Sequence, residues 1–274
     1  KSPQAADGLK IDLGSSFLPY PDSTYSGPGF SGNDYEVTVG SLDVEGLSGH
    51  RYEVLARLNG SATYVSGTDY HIEADGDFDA FSVSGESTNL LQCALNSFDA
   101  RPLIEATNFD AVNISGACMS VLVREQASFT NINDANVNAL GSIEFNGRAA
   151  GADLNAPVIG GIESEAEASV TARAVNNDTT QYGVLDTGTY ASADVVHVES
   201  VLPGATTVAE LVKVEDDLCA QDVTIAADTL EVYGGIEDGF DASLVQDIEN
   251  YGGQTVTACG LSLTDLGVDY ALER

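Results

Sequence analysis

Cations are what this chain most lacks. Its 274 residues hold 10 Lys and Arg against 43 Asp and Glu, for a formal net charge of −33. Lysine is reduced to Lys1, Lys10 and Lys213. Charged residues make up only 19% of the chain, so the imbalance comes from missing cations rather than from an unusual load of charge. In dilute salt such a chain repels itself. At molar salt the Debye length falls to about 3 Å, the repulsion is screened, and the acids keep the surface hydrated. The expectation is a protein of a very salty environment. The same deficit excludes nucleic acid as a partner, because phosphate backbones require a basic stripe. An anionic membrane surface would repel the chain as well.

Long apolar runs are missing too. No stretch approaches the 18 or so residues of a membrane span, so no direct membrane insertion is expected. The four cysteines, Cys93, Cys118, Cys219 and Cys259, form no C-x-x-C pair, which argues against a zinc knuckle or a thioredoxin-type centre. Their even number and placement predict two local disulfides, Cys93–Cys118 and Cys219–Cys259, in an oxidising exterior compartment. Four buried thiols are the alternative. Three N-x-[ST] sequons, at Asn59, Asn113 and Asn177, are the acceptors expected of a glycosylated exterior protein.

Catalytic signatures are also lacking. Neither a G-x-S-x-G elbow nor a Walker A loop occurs. His50, His71 and His197 lie far apart in the sequence and read as ordinary surface or half-buried side chains. No enzyme and no cofactor are expected from these residues. Glycoside chemistry needs only two carboxylates, and no pair can be selected from 43 acids. One acidic run has a specific spacing. Asp75, Asp77, Asp79 and Glu86 fall at positions 1, 3, 5 and 12 of an EF-hand-type loop, a set of hard oxygens suited to Ca²⁺ or Na⁺. Position 6, where that loop needs Gly, is Ala80, and a solvated acidic turn is the competing reading.

What is present is a core and a β signature. Hydrophobic residues make up 43% of the chain, a normal globular fraction. Residues 1–36 are dense in Pro, Gly and Tyr, without a helix or strand period. They read as an extended arm whose Phe17, Leu18, Tyr20, Tyr25, Phe30 and Tyr35 reach a neighbouring subunit. Residues 37–77 alternate with period two, as a small antiparallel β region would. In residues 78–190 short β-prone pieces are separated by Asn, Gly, Ala and Asp. Phe-Asp-Ala recurs at 78–80, 98–100 and 109–111, and again at 240–242. This texture predicts a parallel β-solenoid, with β-sandwich domains as the alternative. Residues 191–274 read as a C-terminal β region with one short helix, Asp241–Tyr251, capped by Asp241.

The fold expected is therefore all-β, with a solenoid-like centre and antiparallel flanks. The function expected is that of an extracellular structural or interaction protein of a halophilic cell surface or virus particle. A capsid decoration, spike, fibre or surface-filament subunit fits, partnered by itself or by other surface or virion proteins. The alternative is a carbohydrate-binding or carbohydrate-cleaving solenoid.

Overall fold

In a computed structural model of the chain, residues 3–12, 24–88, 102–165, 178–252 and 254–256 are described. They form an all-β parallel solenoid of about 11 turns, with 65% of residues in strands and no helix. Three strand rows, here called faces A, B and C, run the length of the stack. On face A, Phe30 lies on Leu47, Leu47 on Val65, and Val65 on Val83. On face B the same register joins Val37, Val54, Ile72 and Ile104. On face C it joins Gly60, Phe78, Phe109 and Ala127. Identical faces therefore stack on identical faces. Most strands pair with the turns before and after them, so backbone groups are satisfied between turns rather than within one.

The turn from face A to face B explains the local sequence. Asp34, Arg51, Asp69, Asp134 and Asp222 have φ between 52° and 57°, and Gly151, Gly188 and Gly204 take the same corner with φ of 61°, 76° and 83°. This left-handed geometry favours Gly, Asp and Asn. The recurring element is Ser-Gly-x-[Asp/Arg]-Tyr, at 31–35, 48–52 and 66–70. Its tyrosines point inward as a ladder. Tyr35 stacks on Tyr52 at 4.8 Å and Tyr52 on Tyr70 at 5.0 Å between ring centres, and all three are buried. Each phenol donates to the Ser carbonyl of the next motif along the stack: Tyr35 to Ser48, Tyr52 to Ser66, and Tyr70 to Ser84. A buried phenol needs such a partner. The core fits large residues against each other and against small ones. The Phe78 ring occupies the space a Cβ on Gly60 would need, and Phe78 stacks on Phe109.

Several expectations are corrected here. Residues 24–33 form a strand of the stack, and Phe30 and Tyr35 are buried in the core. Tyr25 packs at 4.8 Å on Phe30. This part of the N-terminal segment is therefore not a free arm; Phe17, Leu18 and Tyr20 lie outside the described residues. Residues 37–77 are not antiparallel. Their strands Glu36–Val39, Glu53–Ala56 and His71–Ala74 pair in parallel, so the solenoid extends well beyond the centre of the chain. Strand alternation reports one wet and one dry side, and it is the same for either strand direction. The helix expected over Asp241–Tyr251 is instead a turn followed by the strand Val245–Asn250, paired in parallel with Thr224–Val232. Asp241 Oδ1 does accept the Ser243 N–H, at 2.9 Å, but it closes a turn rather than capping a helix. Stacking on Ala227, Leu230 and Val232 offers the segment more than an isolated short helix would.

The Phe-Asp-Ala repeat is partly real. Residues 78–80 lie directly on residues 109–111, whereas 98–100 lie outside the described residues and Phe240 lies in a turn. The true repeat is 16 to 18 residues, as from Val121 to Val137, from Phe30 to Leu47 or from Leu47 to Val65. It is broken twice. Val83 pairs with Ile114, and Ala149 pairs with Leu185. The first interruption lies between the strands Phe78–Ser84 and Leu103–Ala106. The second contains the antiparallel pair Ile162–Glu165 and Asp178–Gln181. The Gly27-Pro-Gly-Phe-Ser-Gly32 run has the spacing of a dinucleotide loop, but it lies inside a strand and opens no helix, so it lacks the context such a loop requires.

Candidate functional site

Outward side chains on a parallel solenoid form columns, because every position sits on its equivalent one turn away. Adjacent strands are about 4.8 Å apart, so acids at one register are held close whatever their separation in sequence. On face C the outward column runs Ser26, Asp43, Ser61, Asp79, Asp110, Ser128 and Glu144. Farther along it reads His197, Lys213, Glu231 and Glu249. Asp43 accepts hydrogen bonds from Ser26 at 3.1 Å and from Ser61 at 3.2 Å. Lys213 pairs with Glu231 at 2.8 Å.

The middle of this column lines a shallow trough of about 400 Å³, bordered by Asp43, Asp79, Asp110 and Phe81. Phe81 lines it, 52% exposed, and Tyr64, 56% exposed, meets the Phe81 ring edge to face at 6.2 Å. Burial, then Asp110, then Asp77 push the Asp79 carboxyl above the ordinary range. The trough thus offers the exposed Phe81 ring, serine and threonine hydroxyls, and a stacked carboxylate pair of which one member resists ionisation. Carboxylates accept hydrogen bonds, and rings receive apolar faces.

The expected calcium loop does not form. Asp75 and Asp77 lie at the corner between faces B and C, and Asp79 lies on face C. Glu86 lies beyond the far end of the strand Phe78–Ser84, where it bridges to Thr68. Roughly 20 Å of extended chain separates Asp79 from Glu86, so the four carboxylates cannot converge. Asp77 instead accepts from Asn108 Nδ2 at 2.8 Å, and its N–H donates to Asn59 Oδ1 at 3.1 Å.

Of the sequons, Asn59 is exposed, Asn113 is half-buried with its Oδ1 accepting from Asn131 at 3.2 Å, and Asn177 lies outside the described residues. Cys93 and Cys259 lie outside them too. Cys118 is half-buried at the A-to-B corner with φ 69°, and Cys219 is fully buried. The corner of the preceding turn is the expanded one whose insertion carries Cys93.

Sequence reading missed one cluster. His71-Ile72-Glu73 is an H-x-E spacing on a strand, which places both side chains on the outside of face B. The next turn sets Glu105 directly on Glu73. His71 Nε2 and Glu105 Oε2 are 2.8 Å apart. The local tripeptide was visible; its third member, 32 positions away, was not. No protein-family model, curated protein or solved structure matches the chain.

Proposed function

We propose that this chain is an exterior structural and interaction solenoid of a halophilic cell surface or virus particle, partnered by itself or by other surface proteins. The observation that carries the reading is the periodic acidic exterior: a stiff stack whose outward columns hold carboxylates in register, suited to molar salt. A Cys93–Cys118 disulfide is expected in the same compartment. Antibody labelling of intact source cells or particles is expected to succeed without permeabilisation. Peptide mapping of unreduced native material is expected to link Cys93 to Cys118. Labelling only after permeabilisation, together with alkylatable thiols at both positions, would refute the exterior assignment.

A second reading, glycan binding, is favoured by the Tyr64–Phe81 pair beside Asp79 and Asp110. Sugar rings present apolar faces to aromatics and hydroxyl donors to carboxylates. Asp79 and Asp110 are paired directly across adjacent parallel strands, about 4.8 Å apart, a spacing close to the roughly 5 Å of the carboxylate pair in retaining glycosidases, and a raised carboxyl is what an acid catalyst needs. Acidic and neutral oligosaccharides titrated calorimetrically in 3 M KCl are expected to show binding that Phe81→Ala weakens by about tenfold, the loss of roughly 1.4 kcal/mol of ring contact. Unchanged affinity in that variant would remove the trough as the glycan site. Released reducing ends, lost in Asp79→Asn, would mark cleavage rather than binding.

A further inference from the structure

We propose that His71, Glu73 and Glu105 bind a divalent transition-metal cation of the Zn²⁺ class on the outer side of face B. The three side chains come from two neighbouring strands, His71–Ala74 and Leu103–Ala106. One ligand atom from each lies within 4.8 Å of the other two, close enough for a single ion to draw them together with small rotamer changes. All three are half-buried, which restricts those rotamers. An imidazole with two carboxylates suits a borderline cation, whereas Mg²⁺ and Ca²⁺ favour oxygen alone.

The arrangement needs positive charge. Glu73 and Glu105 are directly opposed across a parallel ladder, a like-charge pairing that destabilises a sheet. His71 pairs with Glu105, and among the described residues Glu73 has no ion pair. Glu53 stacks on the other side of His71 and adds negative charge to the same column. Beyond the cluster, Glu73 and Glu105 line a depression of about 270 Å³ that includes Leu122 and Asn138, so the open coordination positions face solvent. Arg124 lies at that depression as well, exposed to water.

The position within the stack assigns the ion a role. The strands it joins belong to the two turns separated by the first insertion, where the repeat of 16 to 18 residues lengthens to the 31 that separate Val83 from Ile114. Loop closure costs more as a loop lengthens, and a cation bound across the junction holds the two turns together after that insertion. It acts as a staple, and no reaction is required of it.

The test is metal binding by chelator-stripped full-length protein in 3 M KCl at pH 7, followed by equilibrium dialysis with elemental analysis. One tightly held Zn²⁺ per chain is expected, with an upward shift of the melting midpoint and no comparable response to Mg²⁺. His71→Ala and Glu105→Gln are each expected to weaken Zn²⁺ binding at least tenfold and to abolish the shift. Glu249→Gln, at a distant acid on face C, is expected to leave both unchanged. Melting in the absence of metal checks that each variant is folded, and the two cluster variants provide independent readings. Zn²⁺ uptake that is absent, that matches Mg²⁺, or that falls equally in all three variants would overturn the proposal and leave only diffuse attraction to an acidic surface.

Discussion

In 0.1 M KCl the protein is expected to melt roughly 10 °C below its midpoint in 3 M KCl, a shift of a few kcal/mol at about 2–4 °C each for a chain of this size. The parallel register makes the repulsion specific. Glu36 lies on Glu53, Glu73 on Glu105, Asp79 on Asp110, and Glu231 on Glu249. Two like charges about 4 Å apart repel by roughly 1 kcal/mol in water. At 0.1 M the Debye length is about 10 Å, or two strand spacings, so each acid feels the next turn and the one beyond. Above 1 M it is under about 3 Å, less than one spacing. Few cations offset this: among the described Lys and Arg residues, Lys10, Arg51, Arg148 and Lys213 make ion pairs.

Asp79→Asn should narrow the gap by raising the midpoint in 0.1 M KCl and leaving it nearly unchanged in 3 M. The pH dependence has a defined sign. Burial and the neighbouring acids raise the Asp79 carboxyl in the folded state, so the native protein holds that proton more tightly than the unfolded chain does. Stability at low salt should therefore rise as pH falls from 7 towards that carboxyl's raised range. Further acidification works the other way. At Asp186, burial raises the carboxyl, but the Thr187 N–H, Arg148 and the Thr187 hydroxyl together hold it below the ordinary range. Protonating it below its usual pKa near 3.8 removes that stabilisation. Equal midpoints in the two salts, with no effect of Asp79→Asn, would refute the account.

Gly49→Ala is expected to destabilise the stack by on the order of 3 kcal/mol or more, combining a strained backbone with overpacking. Gly49 has φ +140°, and a Cβ placed on it would stand 1.7 Å from the carbonyl oxygen of Gly32 in the neighbouring turn. That oxygen is backbone and fixed by the register, so relief requires separating two turns. Gly67 repeats the relation, with the Gly49 oxygen at 2.0 Å. A midpoint lowered by about 6 °C or more is expected, and because each turn contacts mainly its neighbours, the transition should broaden or split. Gly8→Ala is the control. Gly8 has φ +63° and nothing within 4 Å of the added Cβ, so only the left-handed cost of about 1 kcal/mol applies. A Gly49→Ala effect no larger than that of Gly8→Ala would show that the turns are not packed this closely.

Part of this architecture can be read from the chain alone. Alternating Val, Ile and Ala between Asn, Gly and Asp corners determined an all-β stack, because such pieces are too short and too β-branched for helices. The Ser-Gly-x-[Asp/Arg]-Tyr element was legible in the same way: a left-handed corner admits few residues, and the residue after it turns inward and is buried. It went unread because the long first turn and the first insertion confine it to three copies, and the recurring Phe-Asp-Ala tripeptide drew attention away from it. The deficit of cations was decided by sequence alone, since charge counts need no geometry. Tertiary structure decided strand direction, because period-two alternation is the same for parallel and antiparallel neighbours. It alone joined Asp79 to Asp110 across the first insertion, and Glu105 to the His71 and Glu73 of another turn. In a solenoid the closest neighbours of a side chain lie one turn away, and the length of each turn, including whatever is inserted into it, sets which residues those are.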